Sequence, residues 1–98
     1  MSKGYWVVAY RSVSDASALR AYAALAKPAI EAAGGKVLAV PGAAVVAHEA
    51  GIAQHTVIVE FASFDQAQRA YASEAYQASL RALGNGAERD LRIVEGAA

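Results

Sequence analysis

The chain predicts an α+β fold, in the ferredoxin-like order β-α-β-β-α-β with an antiparallel sheet. Three observations carry this expectation. Runs rich in β-branched and aromatic residues stand at 5–13, 36–40, 55–61 and 90–95. Two longer alanine-rich stretches with helical spacing separate them, and Ser14-Asp15, Gly34-Gly35, Ser63-Phe-Asp-Gln66 and Gly84-Asn85-Gly86 punctuate the ends. Apolar residues that recur at two-residue steps mark strands, and those at three- and four-residue steps mark helices.

The opening row Tyr5-Trp-Val-Val-Ala-Tyr-Arg-Ser-Val13 suits a pleated, half-buried surface. Alternation sets Tyr5, Val7, Ala9 and Arg11 on one face and Trp6, Val8 and Tyr10 on the other. Bulky groups on both faces place this strand inside the sheet. Ser14 and Asp15 can cap the helix that follows, in which Leu19, Tyr22, Ala26, Ala29, Ile30 and Ala33 share one face. Gly34-Gly35 ends it. Pro28 lies within that pattern, lacks a backbone donor and crowds the carbonyl four residues earlier, so a kink or break is expected there.

Residues 36–40 read as a second strand, Pro41-Gly42 as an interruption, and 43–48 as a continuation or a separate edge piece. Along 55–61, His55, Val57, Val59 and Phe61 alternate with Thr56, Ile58 and Glu60, which predicts a third strand with one apolar and one mixed face. Ser63 and Gln66 have capping-box spacing, and Asp65 suits the positive end of a helix. Ser73-Glu74 can cap afresh, so the second helix is expected to bend into a second piece bearing Tyr76, Leu80 and Leu83 on its apolar face. Gly84-Asn85-Gly86 closes it. The last strand, 90–95, runs through Leu91, Ile93 and Val94.

Ninety-eight residues make a single domain, taken as 1–98. A chain this short buries only roughly 60 to 65% of its unfolded surface. The hydrophobic fraction is 56%, yet 26 of those residues are alanine, which favours helix and adds little core volume. Burying a face against a second copy would supplement so thin a core, and a homodimer is expected. Nine basic and nine acidic residues balance to a net charge of +0 with no basic cluster, which argues against nucleic acid as a partner. The absence of cysteine excludes disulfides, thiolate catalysis and zinc-thiolate sites. No apolar run approaches a membrane span, and Met1-Ser-Lys-Gly lacks the apolar core of a signal peptide, so a cytoplasmic protein is the expectation.

Gly4-Tyr5-Trp6, Gly34-Gly35, Val59-Glu60-Phe61, Tyr71, Ser73-Glu74-Ala75-Tyr76-Gln77 and Val94-Glu95-Gly96 follow one another along the chain. In this ordered set the sequence resembles the bacterial family known as domain of unknown function 1330, over nearly its whole length. The resemblance implies a ferredoxin-like fold in the dimeric α+β barrel superfamily, whose two sheets pack together across a two-fold axis. It implies no established reaction. Relatives in that superfamily include cofactor-independent monooxygenases, muconolactone isomerases and dye-decolourising haem enzymes, so the fold does not choose a chemistry. The chain departs from the family pattern at Ala70, where a Trp precedes the tyrosine matched by Tyr71, and at Leu83, where an Arg stands on the second helix. Arg81 does not substitute, because two residues are about 200° around a helix.

No stretch matches a recognised catalytic signature. Tyr71, Ser73 and Tyr76, with His55 or Glu60 from the neighbouring strand, are the polar groups expected to converge beside an apolar pocket. A tyrosine hydroxyl can donate to a carbonyl or enolate oxygen, and a histidine or carboxylate can move a proton, which would suit an isomerase or oxygenase step. The plainer alternative makes them packing tyrosines, a cap serine and strand-end polar groups. Glu60 stands among large apolar residues and, if buried, needs a partner, with Arg11 or a residue of a second chain as structural options. His55 and Glu60 are five apart and face opposite sides of a strand, and His48, Glu49 and His55 meet only if the loop at Gly51 folds back. No metal and no cofactor is therefore expected. The glycine pairs are helix terminators rather than phosphate cradles, and no Gly-x-Ser-x-Gly elbow is present.

Two functional readings follow. In one, a homodimer holds a pocket between sheet and helices that binds or transforms a small, largely apolar molecule. In the other, a non-enzymatic dimeric scaffold has only its interface, and a haem or metal enzyme enters through the superfamily alone. Trp6 and Tyr10 are the residues expected on the sheet face that the dimer buries.

Overall fold

Strand β1 (Gly4–Val13) runs through the interior of a four-stranded antiparallel sheet of order β2-β3-β1-β4, in a computed structural model that describes residues 2–97. The other elements are α1 (Ala16–Ala32), β2 (Lys36–Ala39), β3 (Thr56–Phe61), α2 (Phe64–Ala72), α3 (Glu74–Leu83) and β4 (Ala87–Glu95). This is the ferredoxin-like order, with the second helical segment divided in two. The division falls at Ser73, which accepts from the Tyr76 amide to open α3 and donates to the Ala70 carbonyl to close α2. A serine in extended conformation (φ −61°, ψ 145°) cannot continue a helix, so the chain bends there.

Alternation along β1 splits the sheet into a covered and an open face. Trp6, Val8 and Tyr10 point at the helices and are buried with Val59 and Phe61 of β3 and with Tyr22, Ala26, Ile30 and Tyr76 of the helices. Trp6 anchors this layer. Its ring stands 5.2 Å from Phe61 and 4.7 Å from Tyr76, and its indole N–H donates to the Ala67 carbonyl at 2.8 Å, which ties β1 to α2. On the open face Tyr5 pairs across from Glu60 and Val94, and Val7 from Ile58 and Arg92. Trp6 and Tyr10 are thus buried by this chain's own helices, not on a face open to a second copy, and the face left open is the opposite one.

Four further expectations are corrected. The helix runs unbroken through Pro28, which is exposed; Ala24, whose carbonyl loses its usual donor, is exposed too, so water can replace the bond. Residues 43–48 form no strand, because Pro41 and Gly42 (φ 87°) turn the chain away from β3 just after an irregular register between Val37 and Ala39. The capping box is half made: Ser63 accepts from the Gln66 amide, but the Gln66 side chain donates to the Ala33 carbonyl at 2.9 Å, so α2 closes the end of α1. Gly34 (φ 86°) makes this contact feasible, since a Cβ there would collide with Gln66. Finally, β4 begins at Ala87, three residues before the expected start.

Candidate functional site

Between the covered face of the sheet and α1 lies a cavity of about 330 Å³. Its apolar walls come from Val8, Val57 and Val59 on the sheet and from Ala26 and Ile30 on the helix; exposed Lys27, Val40 and Pro41 make its rim. Helix α1 carries alanine at 23 and 26, both on the cavity wall, where longer side chains would fill the space. The composition that thins the core also opens this site.

At one end of the cavity the polar groups gather. Arg89 of β4 lies opposite Tyr10 in the sheet register and reaches toward α1, where its Nη1 donates to the Tyr22 hydroxyl at 3.0 Å. Its Nη2 donates to the Tyr76 hydroxyl at 3.4 Å, and the two hydroxyls share a hydrogen bond of 2.8 Å. The guanidinium also lies over the rings of Tyr22 (4.7 Å) and Tyr10 (5.5 Å), a favourable contact between a cation and aromatic faces. Tyr10, Tyr22 and Arg89 touch the cavity, whereas Tyr76 stands behind them.

Burial raises the pKa of Tyr22 well above its ordinary 10.0, Tyr76 adds to the rise, and Arg89 offsets only part of it. Tyr10 is raised for the same first reason, again partly opposed by Arg89. Both phenols therefore stay protonated at neutral pH and remain donors. Desolvation works against the Arg89 charge; the coulombic pull of Tyr22 and Tyr76 that raises its pKa above the ordinary value acts only once those phenols ionise, so at neutral pH the guanidinium faces two uncharged hydroxyls. The cluster is a fixed positive centre at the end of an apolar chamber.

Of the five residues expected to converge, Tyr76 joins the cluster through its hydroxyl. Tyr71 packs edge-on against Trp6, with ring centroids 6.0 Å apart, and lies 5.4 Å from the ring of Tyr76. Ser73 serves as the double cap described above. His55 stands edge-on to Tyr10 at 5.7 Å, and its Nδ1 accepts from the Gly42 amide at 3.1 Å, which fastens the rim segment next to Pro41. Glu60 lies on the open face, where Lys3 donates to it at 3.1 Å and Tyr5 at 3.3 Å. The hydrogen bond from Lys3 is the main reason its pKa is lowered. Arg11 instead pairs with Asp90, because the paired part of β1 and β3 stops at Ala9 and Thr56, before Arg11. Among the described residues no group of three His, Asp or Glu side chains is placed to hold a metal ion.

Arg89 was not among the expected site residues. The signal was present: extending the alternation of Leu91 and Ile93 backwards by two residues puts Arg89 on the covered face. Starting the strand at Asp90 hid it.

The same fold occurs in solved structures. The RPA0582 protein of unknown function from Rhodopseudomonas palustris matches with a TM-score of 0.72 and 16% identity, over 99% of this chain and 84% of that one. The methylated RPA0582 protein gives the same score and identity over 99% and 82% of the two chains. A candidate antibiotic biosynthesis monooxygenase from Caulobacter crescentus matches with a TM-score of 0.59 and 11% identity, over 99% and 91%. At these identities the likeness is one of fold, the ferredoxin-like arrangement. None of the curated proteins matches the chain. The sequence pattern of the family described as domain of unknown function (DUF1330) matches residues 3–97, and the chain belongs to that family.

Proposed function

We propose that this protein binds a small, largely apolar molecule in the cavity between the sheet and α1, and does so as a homodimer. The observation that carries this reading is the cavity itself, whose apolar walls end in one convergent polar cluster, the usual construction of a small-molecule site. A scaffold with no business but its interface has no need of such a chamber. Tyr76 supports the site from behind, through its hydrogen bonds with Tyr22 and Arg89. Tyr71 and Ser73 hold it in place by packing and by capping α3, and His55 secures the rim. Binding is favoured over proton-transfer chemistry because, among the described residues, neither a carboxylate nor a histidine lines the cavity.

The open face supports the dimer: Tyr5, Val7, Ile58 and Val94 make an apolar strip there, and Glu60 would lie near the partner. Val94 is 44% exposed in the single chain, which suits a surface awaiting cover. The lack of cysteine is compatible with a reducing cytoplasm.

Methyl-resolved NMR titration with 1-octanol and with cinnamyl alcohol tests the binding site. The expected result is saturable shifts at the methyls of Val8, Ile30, Val57 and Val59, abolished by Ala26→Phe in a protein that remains folded. Shifts confined to Leu25, Leu38 and Val46 on the surface would overturn the reading.

A further inference from the structure

We infer that the ligand is an anion, specifically an apolar carboxylic acid whose carboxylate sits against Arg89 and whose hydrocarbon part fills the chamber. This rests on the binding site proposed above and deepens it. Arg11, Arg69, Arg81 and Arg92 each meet a carboxylate at the surface. Arg89 is the half-buried one, yet its hydrogen-bond partners among the described residues are two neutral phenols. A charge withdrawn from water without a counter-charge is costly, and a bound anion would offset that cost.

The cluster is also rich in donors. A guanidinium has five N–H hydrogens and a hydroxyl one, whereas only three hydrogen bonds join Arg89, Tyr22 and Tyr76 to one another. When one phenol donates to the other, the second retains a hydrogen with no acceptor inside the cluster, and Arg89 keeps Nε–H and its outward N–H groups. The surplus calls for an acceptor, and a carboxylate presents two oxygens that match the guanidinium fork. The cavity wall includes a second cation, Lys27, and no Asp or Glu. The chamber of about 330 Å³ lies at the small end of ligand sites, roughly 300 to 1,000 Å³. A neutral apolar molecule would use the walls and leave the charged end unsatisfied.

The test is calorimetric titration of the intact protein with two matched pairs, octanoate against 1-octanol and cinnamate against cinnamyl alcohol. Each acid should bind about tenfold tighter than its alcohol, or more, as expected for a charge-assisted contact with a half-buried guanidinium. Arg89→Met should erase that preference, bringing each acid to the affinity of its alcohol. Tyr22→Phe, which keeps the ring beneath the guanidinium, should narrow the preference for acid over alcohol roughly threefold or more, and it serves if Arg89→Met fails to fold. Equal binding of acid and alcohol by the unaltered protein would overturn the anion inference while leaving the cavity reading intact. Survival of the acid preference in Arg89→Met, or in Tyr22→Phe where only that variant folds, would do the same. Failure of all four compounds to bind would overturn both.

Discussion

Arg89 and Arg92 leave β4 three residues apart and enter opposite environments. Arg92 stands on the open face, holds Asp90 through Nε at 3.1 Å, and keeps 73% of its side chain exposed. Arg89 enters the covered face, loses much of its hydration and meets phenols in place of a carboxylate. Water already serves Arg92, so its ion pair adds little, as is usual for exposed pairs. Arg89 has exchanged water for a fixed aromatic frame, which leaves its charge available to whatever enters the chamber. The two faces thus differ in what satisfies a charge, water and a carboxylate on one and two phenols on the other, which is why the proposed anion site falls at Arg89.

The contrast breaks most severely at Trp6, which is 1% exposed and joins β1 to α2 and α3. Trp6→Ala should cost about 3 to 5 kcal/mol, measured by urea unfolding, since it removes a large buried ring and one hydrogen bond. A loss below about 1 kcal/mol would mean that the covered layer is not one core. On the open face, Ile58→Asp should convert the proposed dimer to monomer in sedimentation without unfolding it, because a carboxylate would be buried in the proposed interface. An unchanged mass would place the interface elsewhere.

A smaller effect separates the faces by pH. The raised pKa of Tyr22 means that the native state keeps a proton that the unfolded chain releases at an ordinary value of 10.0. Its contribution is fully present below that pH and lost as pH rises through the native value. Stability of the unaltered protein should therefore fall more steeply than that of Tyr22→Phe between about pH 9.5 and 11, read from urea midpoints. Parallel profiles would show that the phenol is not desolvated. The smallest effect belongs to Arg92→Ala, whose midpoint should match the unaltered protein at neutral pH. A clear destabilisation would erase the distinction between the two arginines.

Much of the local structure was legible. Ser63 and Ser73 announced their helices through their hydroxyls, and Tyr5 to Tyr10 announced two bulky faces through simple alternation. The fresh cap at Ser73-Glu74 separates Tyr71 at the end of α2 from Tyr76 on α3, as its spacing suggested, but their separate roles depend on which neighbours the fold supplies. Gln66 shows the limit most plainly: local geometry offers it the backbone of Ser63, and tertiary structure offers the Ala33 carbonyl 33 residues away. The partner of Glu60 was equally out of reach, since strand register, which depends on long-range packing, sets Tyr5 and not Arg11 across from it.

What the amino-acid sequence by itself determined is the order of elements, the two-faced character of β1, the caps and the family. These depend on periodicity and on bonds between residues a few positions apart, which a chain carries before it folds. Only tertiary structure decided that the helices cover the Trp6 face, that alanines at 23 and 26 leave a chamber, and that Arg89 meets Tyr22 and Tyr76 across 67 and 13 residues. The physical reason is that a cavity and the hydration of a charge belong to no single segment: each is set by what the surrounding elements place, or fail to place, next to it.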